Sequence, residues 1–184
     1  MRVHRFVAFP LVAALVSALA VPAMAQVIVG GAPMYASKDI IDNAVNSKDH
    51  TTLVAAVKAA DLVPMLKGHG PFTVFAPTNA AFAALPAGTA DNLLKPENKP
   101  ALRKVLTYHV VTGKMDTATL AKAVDAGAGK ATLTEVSGGT LTVTRSGNLI
   151  MLTDESGGMA HVTIPDVVQS NGVIHVVDKV LLPK

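Results

Sequence analysis

The chain has 184 residues, 16 Lys and Arg against 13 Asp and Glu, a formal net charge of +3, and no cysteine. The missing cysteine excludes disulfide staples, thiolate metal sites, a thiol nucleophile and a lipid-attachment box. The charge is near balance and no basic stripe is interleaved with aromatics, so nucleic acid is not an expected partner.

Residues 1–25 read as a removable leader. Arg2 and Arg5 form a short basic start, Phe6 to Val21 is apolar but interrupted by Pro10, and Ala23-Met24-Ala25 fits a small-x-small cleavage site. The apolar run falls short of the roughly 20 residues that a spanning helix needs. Cleavage after Ala25 removes two arginines and leaves 14 basic against 13 acidic side chains. No later apolar run is long enough to span a membrane, so a secreted or periplasmic, soluble product is expected.

Residues 26–37, with Gly30-Gly31 and Pro33, read as an N-terminal tether, and residues 38–184 as a single domain. From Asp39 the spacing is helical. Ile40, Ile41, Ala44 and Val45 form one stripe and Leu53, Val54 and Val57 the next, with Thr51 or Thr52 as cap. A short helical piece over 61–66 ends at Lys67-Gly-His-Gly70. Phe72 to Ala76 is β-prone, and Thr78 or Asn79 then caps a helix through Phe82. With Thr78 as cap, Pro77 and Phe82 occupy the positions of a hydrophobic staple. Phe72, Phe75 and Phe82 are the only phenylalanines outside the leader, and they anchor the expected core.

Thr89 is expected to cap a helix to Leu94, and Pro100 suits the start of one over 99–107. Tyr108-His-Val-Val111 reads as strand, and 117–124 as helix with Leu120, Ala121 and Val124 inward. Beyond Gly129 the pattern alternates. Thr132, Thr134, Thr140, Thr142 and Thr144 sit between apolar neighbours as on a half-exposed antiparallel sheet, continued by 149–152, 159–164 and 166–168. Asn171-Gly172 signals a tight hairpin into Val173 to Val177. Helices first and strands later indicate an α+β domain, with no internal repeat.

Three segments carry a family resemblance. Thr73-Val-Phe-Ala-Pro-Thr-Asn-Ala-Ala-Phe82 and Asn171-Gly-Val-Ile-His-Val-Val-Asp-Lys-Val-Leu-Leu-Pro183 resemble the two signature segments of the fasciclin-like domain family. Leu106-Thr-Tyr-His-Val-Val111 is similar to its Tyr-His motif. Ala80 departs from the acidic residue often found there, a loss of a few tenths of a kcal/mol at a helix N-terminus. The resemblance implies a wedge-shaped, mainly antiparallel sheet region. In it the two end segments lie near one another and helices pack around them. It also implies a non-enzymatic module for adhesion or for surface, matrix or host association. In animal relatives the Tyr-His motif is associated with receptor binding, which makes Tyr108 and His109 the partner-binding residues implied here.

The residues themselves offer little competing chemistry. His109 and His175 sit among apolar neighbours, where a hydrogen-bonded core histidine is the simpler reading. No His-x-x-x-His or His-Glu-x-x-His occurs, and Asp154-Glu155 reads as a solvated turn, so no metal and no cofactor is expected. Gly127 to Thr132 lacks the spacing of a phosphate loop, and no Gly-x-Ser-x-Gly elbow is present. An unidentified protein, surface or matrix component is the expected partner, with weak self-association beside it. The alternative is a carrier holding an apolar small molecule between helices and sheet.

Overall fold

Alternation along one strand divides the molecule in two. In strand β3 (Phe72–Pro77), Val74 and Ala76 join an apolar cluster with the helices, while Phe75 faces a second cluster inside a curled sheet. The structure is a computed structural model and describes residues 26–184; the expected leader lies outside the described residues. The helices are α1 (Ile40–Ala44), α2 (Thr51–Ala59), α3 (Val63–Leu66), α4 (Asn79–Ala83), α5 (Thr89–Leu93), α6 (Lys99–Tyr108) and α7 (Thr117–Ala126). Strands β4 (Val110–Thr112), β5 (Lys130–Thr134), β6 (Thr140–Ser146), β7 (Leu149–Thr153), β8 (Met159–Gln169) and β9 (Gly172–Val177) complete the large sheet.

That sheet has the order β4-β3-β9-β8-β7-β6-β5. Every pairing is antiparallel except β3 with β9, which run parallel from Phe72 opposite Gly172 to Pro77 opposite Val177. The two most recognisable segments of the sequence are therefore direct neighbours. The sheet almost closes, because Val111 bridges Glu135 and the Val136 amide reaches the Val110 carbonyl at 2.8 Å. Its interior holds Phe75, Tyr108, Leu141, Val143, Leu152 and Val177, all buried. The fold class is α+β, a helical layer against a nearly barrel-shaped sheet.

Several local expectations are met by the residues named for them. Thr78 Oγ1 accepts the Ala81 amide at 3.2 Å and caps α4, with Phe82 buried one turn on. Elsewhere the local chemistry differs. The cap of α2 is neither Thr51 nor Thr52. The Asn79 side chain, from another helix, accepts the Thr52 amide at 2.9 Å and donates to the Lys48 carbonyl at 2.8 Å. At α5, Gly88 takes the cap position with φ +79°, and Thr89 is the first helical residue. Val45 is 48% exposed, because α1 ends at Ala44 and turns it outward. Tyr108 closes α6 and His109 caps its C-terminus, so the strand there begins only at Val110. Local β propensity lost to a continuing helical ladder.

The β8–β9 hairpin falls where expected, but Ser170 and Asn171 make its turn and Gly172 begins β9. Gly172 is needed for close approach, since a Cβ there would land on the Phe72 carbonyl of β3. Residues 26–37 form a small hairpin, β1 (Ile28–Val29) with β2 (Ala32–Pro33). Val29 and Met34 are buried in the helix-side cluster. The Asn43 amide fastens the hairpin, donating to the Tyr35 carbonyl at 2.7 Å and accepting its N–H at 3.0 Å.

Candidate functional site

Helix α6 delivers the Tyr-His pair. Its apolar face, Leu102, Val105 and Leu106, is buried against the helical cluster, and this fixes the rotation of its last turn. Tyr108 is 0% exposed. Its hydroxyl donates to the Thr140 carbonyl at 2.7 Å and accepts the Glu155 amide at 3.0 Å. Burial pushes the phenol up to about 12, so it stays protonated and keeps donating. One oxygen thus joins the start of β6 to the turn after β7.

His109 is 2% exposed and faces the other way. Its Nδ1 lies 2.8 Å from the Val105 carbonyl, which can only accept, so Nδ1 carries the proton. Its Nε2 accepts the Leu181 amide at 3.0 Å. Burial pulls the imidazole down to about 4, so the ring is neutral and its two partners are matched. His109 therefore bolts the C-terminal segment to the end of α6.

The expected site residues are thus brought together, and neither reaches the surface. What does reach the surface is part of the segments they hold: Thr140 with the turn that precedes it, 154–158 and 180–184. Asp154, expected in a solvated turn, is instead buried. Its Oδ1 accepts the amides of Ser156 at 2.9 Å and Gly158 at 2.7 Å, and its Oδ2 accepts that of Leu182 at 2.9 Å. The sequence signal for this was local: an Asp followed at short range by Ser and Gly organises its own turn. Glu135, also buried, had no comparable signal.

His175 behaves as a core histidine. It stacks on Phe75 with centroids 5.6 Å apart, approaches the Met115 carbonyl through Nε2 at 2.7 Å, and accepts the Asp166 amide at 3.3 Å. Burial lowers its pKa. His161, partnerless in sequence, pairs with Asp178 at 3.0 Å across β8 and the end of β9. Among the described residues no three His, Cys, Asp or Glu side chains converge as metal ligands, and no helix is long and apolar enough to cross a membrane.

Comparison with known proteins places this architecture. The fasciclin domain family model matches residues 48–183. "Protein sll1483" of Synechocystis is 48% identical over 157 residues, covering 85% of this chain and 79% of the relative. "Immunogenic protein MPB70" of Mycobacterium bovis is 37% identical over 145 residues, covering 76% of this chain and 66% of the relative. Among solved structures, a FAS1 domain pair from the insect cell adhesion molecule Fasciclin I superposes with a TM-score of 0.70 at 17% identity. That match covers 79% of this chain and 51% of the pair. Sequence segments, parallel β3–β9 pairing and these matches agree, and the chain belongs to the fasciclin domain family.

Proposed function

We propose that the protein is an exported, non-enzymatic interaction module that associates with a surface, matrix or host component through the turns held by Tyr108 and His109. The observation that carries this reading is the clamp itself. Two buried side chains hold three separate parts of the chain, at Thr140, Glu155 and Leu181, while the remaining His109 nitrogen is anchored to Val105 within α6. A rigid scaffold presenting loops is the usual form of a recognition surface. A solved structural relative described as a cell adhesion molecule supports the same class of role. In this reading Tyr108 and His109 position the binding surface and touch no partner.

The test is a pair of substitutions on the exposed turns, Val136→Arg and Ser156→Arg, at positions whose side chains reach solvent. Binding of the purified protein to surface and matrix fractions of its own producer should fall at unchanged melting temperature. Full binding by both variants would sink the proposal. Sedimentation of the same samples measures self-association, and fractionation of the producing cells tests export and cleavage after Ala25.

A carrier role has one observation in its favour. An apolar cavity of about 40 Å³ lies between α2, α3 and the sheet, walled by Met34, Ile41, Val57, Leu66 and Ile174. Pockets for drug-sized ligands run roughly 300–1,000 Å³, so this space suits only a few heavy atoms. The size favours the interaction module. A stable adduct in native mass spectrometry of protein from its own host would reverse that preference.

A further inference from the structure

The turn between β5 and β6 and the turn after β7 bring two carboxylates together beside Tyr108. Glu135 is 3% exposed. Its Oε2 receives the Ser137 hydroxyl, and its Oε1 has no hydrogen-bond partner. The backbone amides of Ser137 and Gly139 also favour the charged form of this carboxylate, while Oε1 itself accepts no hydrogen bond. Glu155 Oε1 accepts the Thr140 amide at 2.9 Å and the Thr140 hydroxyl at 3.2 Å. The two Oε1 atoms converge on one point. A Cβ on Gly139 would lie 2.5 Å from Glu135 Oε1, 3.2 Å from Glu155 Oε1 and 3.2 Å from the Tyr108 ring edge. Gly139 keeps that space open.

No direct ion pair balances this charge: among the described residues, none of Glu135, Asp154 and Glu155 belongs to an ion pair. The Lys104 charge favours ionised Glu155 from a distance, and its ammonium donates to the Lys184 carbonyl. Asp154 adds negative charge nearby while its own oxygens are occupied by turn amides. A buried carboxylate beside a second one is costly unless a cation or proton joins them.

We propose that Glu135 Oε1 and Glu155 Oε1, with the Thr140 hydroxyl and water, form a site for a hard divalent cation of the calcium type. The donors are all oxygen, which disfavours soft metals, and calcium accepts irregular geometry completed by water. Two carboxylates without a third place the site at the weak end of calcium affinities, on the order of 10⁻⁴–10⁻³ M. Such a cation would lock the same turns that Tyr108 holds. It would also reverse the upward push that burial and Glu155 exert on the Glu135 carboxyl.

Tyr108 supplies the reporter, being one of two tyrosines in the chain and in contact with the site. Chelator-stripped protein is titrated with terbium(III) under tyrosine excitation. Saturable emission is expected, displaced by calcium at about 0.1–1 mM and lost in Glu135→Gln and Glu155→Gln. Calcium at about 10 mM should raise the melting temperature by roughly 4–7 °C in the parent protein and not in either variant. Glu155 is the less buried partner, so its variant carries the test if Glu135→Gln does not fold. Emission that calcium does not displace, or that survives both substitutions, overturns the site. So does stabilisation on acidification alone with no response to calcium, which would assign the missing partner to a proton.

Discussion

Tyr108→Phe isolates the clamp from the packing around it. The ring stays, and with it the contacts inside the sheet, while one oxygen disappears from between the Thr140 carbonyl and the Glu155 amide. Leaving a buried polar group unpaired costs about 1–3 kcal/mol. The two groups differ, because Thr140 and Glu155 lie at turns where water can approach once the hydroxyl is gone. A total of about 2 kcal/mol is therefore expected, below the sum for two fully buried orphans. For a domain of this size that lowers the melting temperature by roughly 4–8 °C. Differential scanning calorimetry at neutral pH measures it directly, with urea unfolding as a check on the slope. A drop below about 1 °C would refute the clamp, since it would mean the hydroxyl's bonds are replaced by water at no net cost.

Three further outcomes follow from other parts of the molecule. Acidification should unfold the protein early: the folded His109 value of about 4 lies below its ordinary 6.5, so its contribution is present above pH 6.5 and lost as pH falls toward 4. Up to about 3 kcal/mol is at stake from His109 alone, with His50 and His175 shifted the same way, and a urea midpoint series from pH 7 to 4 measures the slope. Gly172→Ala should fail to fold or lose at least about 3 kcal/mol, because its Cβ meets the Phe72 backbone across the parallel pair; soluble yield and the urea midpoint report it. Asn79→Ala should cost about 1 kcal/mol by uncapping α2, and amide exchange should quicken first at Thr52.

Legibility followed periodicity. Strands β5 and β6 were readable because Ala131 to Thr134 and Thr140 to Thr144 alternate as a sheet with one buried face requires, and β7 because Leu149 to Leu152 is a short apolar run bounded by turns. The cap at Thr78 was readable because its acceptor and donor lie three residues apart. Asn79 capping α2 was not, since its partner Thr52 is 27 residues away and nothing local announces the pairing. Tyr108 and His109 were singled out by resemblance, yet whether they faced solvent depended on where α6 stops. That boundary is set by the sheet pairing of Val110 and Val111, not by local propensity. Glu135 was invisible for the same reason as Asn79, its environment being built by a turn 20 residues later.

A buried pair influences recognition only by fixing what lies above it, and this has a measurable signature. If Tyr108 positions the 154–158 turn, its effect on partner binding must pass through that turn. The loss in Tyr108→Phe, assayed well below the variant's melting temperature, should then couple to a substitution such as Ser156→Arg. In a double-mutant cycle on the dissociation constant, the coupling should be about 0.5–3 kcal/mol, the range for residues sharing one network. Leu62→Val, buried in the helix-side cluster, serves as the control and should be additive with Ser156→Arg within about 0.5 kcal/mol. Additivity of Tyr108→Phe with Ser156→Arg would mean that the hydroxyl sustains stability alone. The surface read by a partner would then have to be sought away from the end of α6.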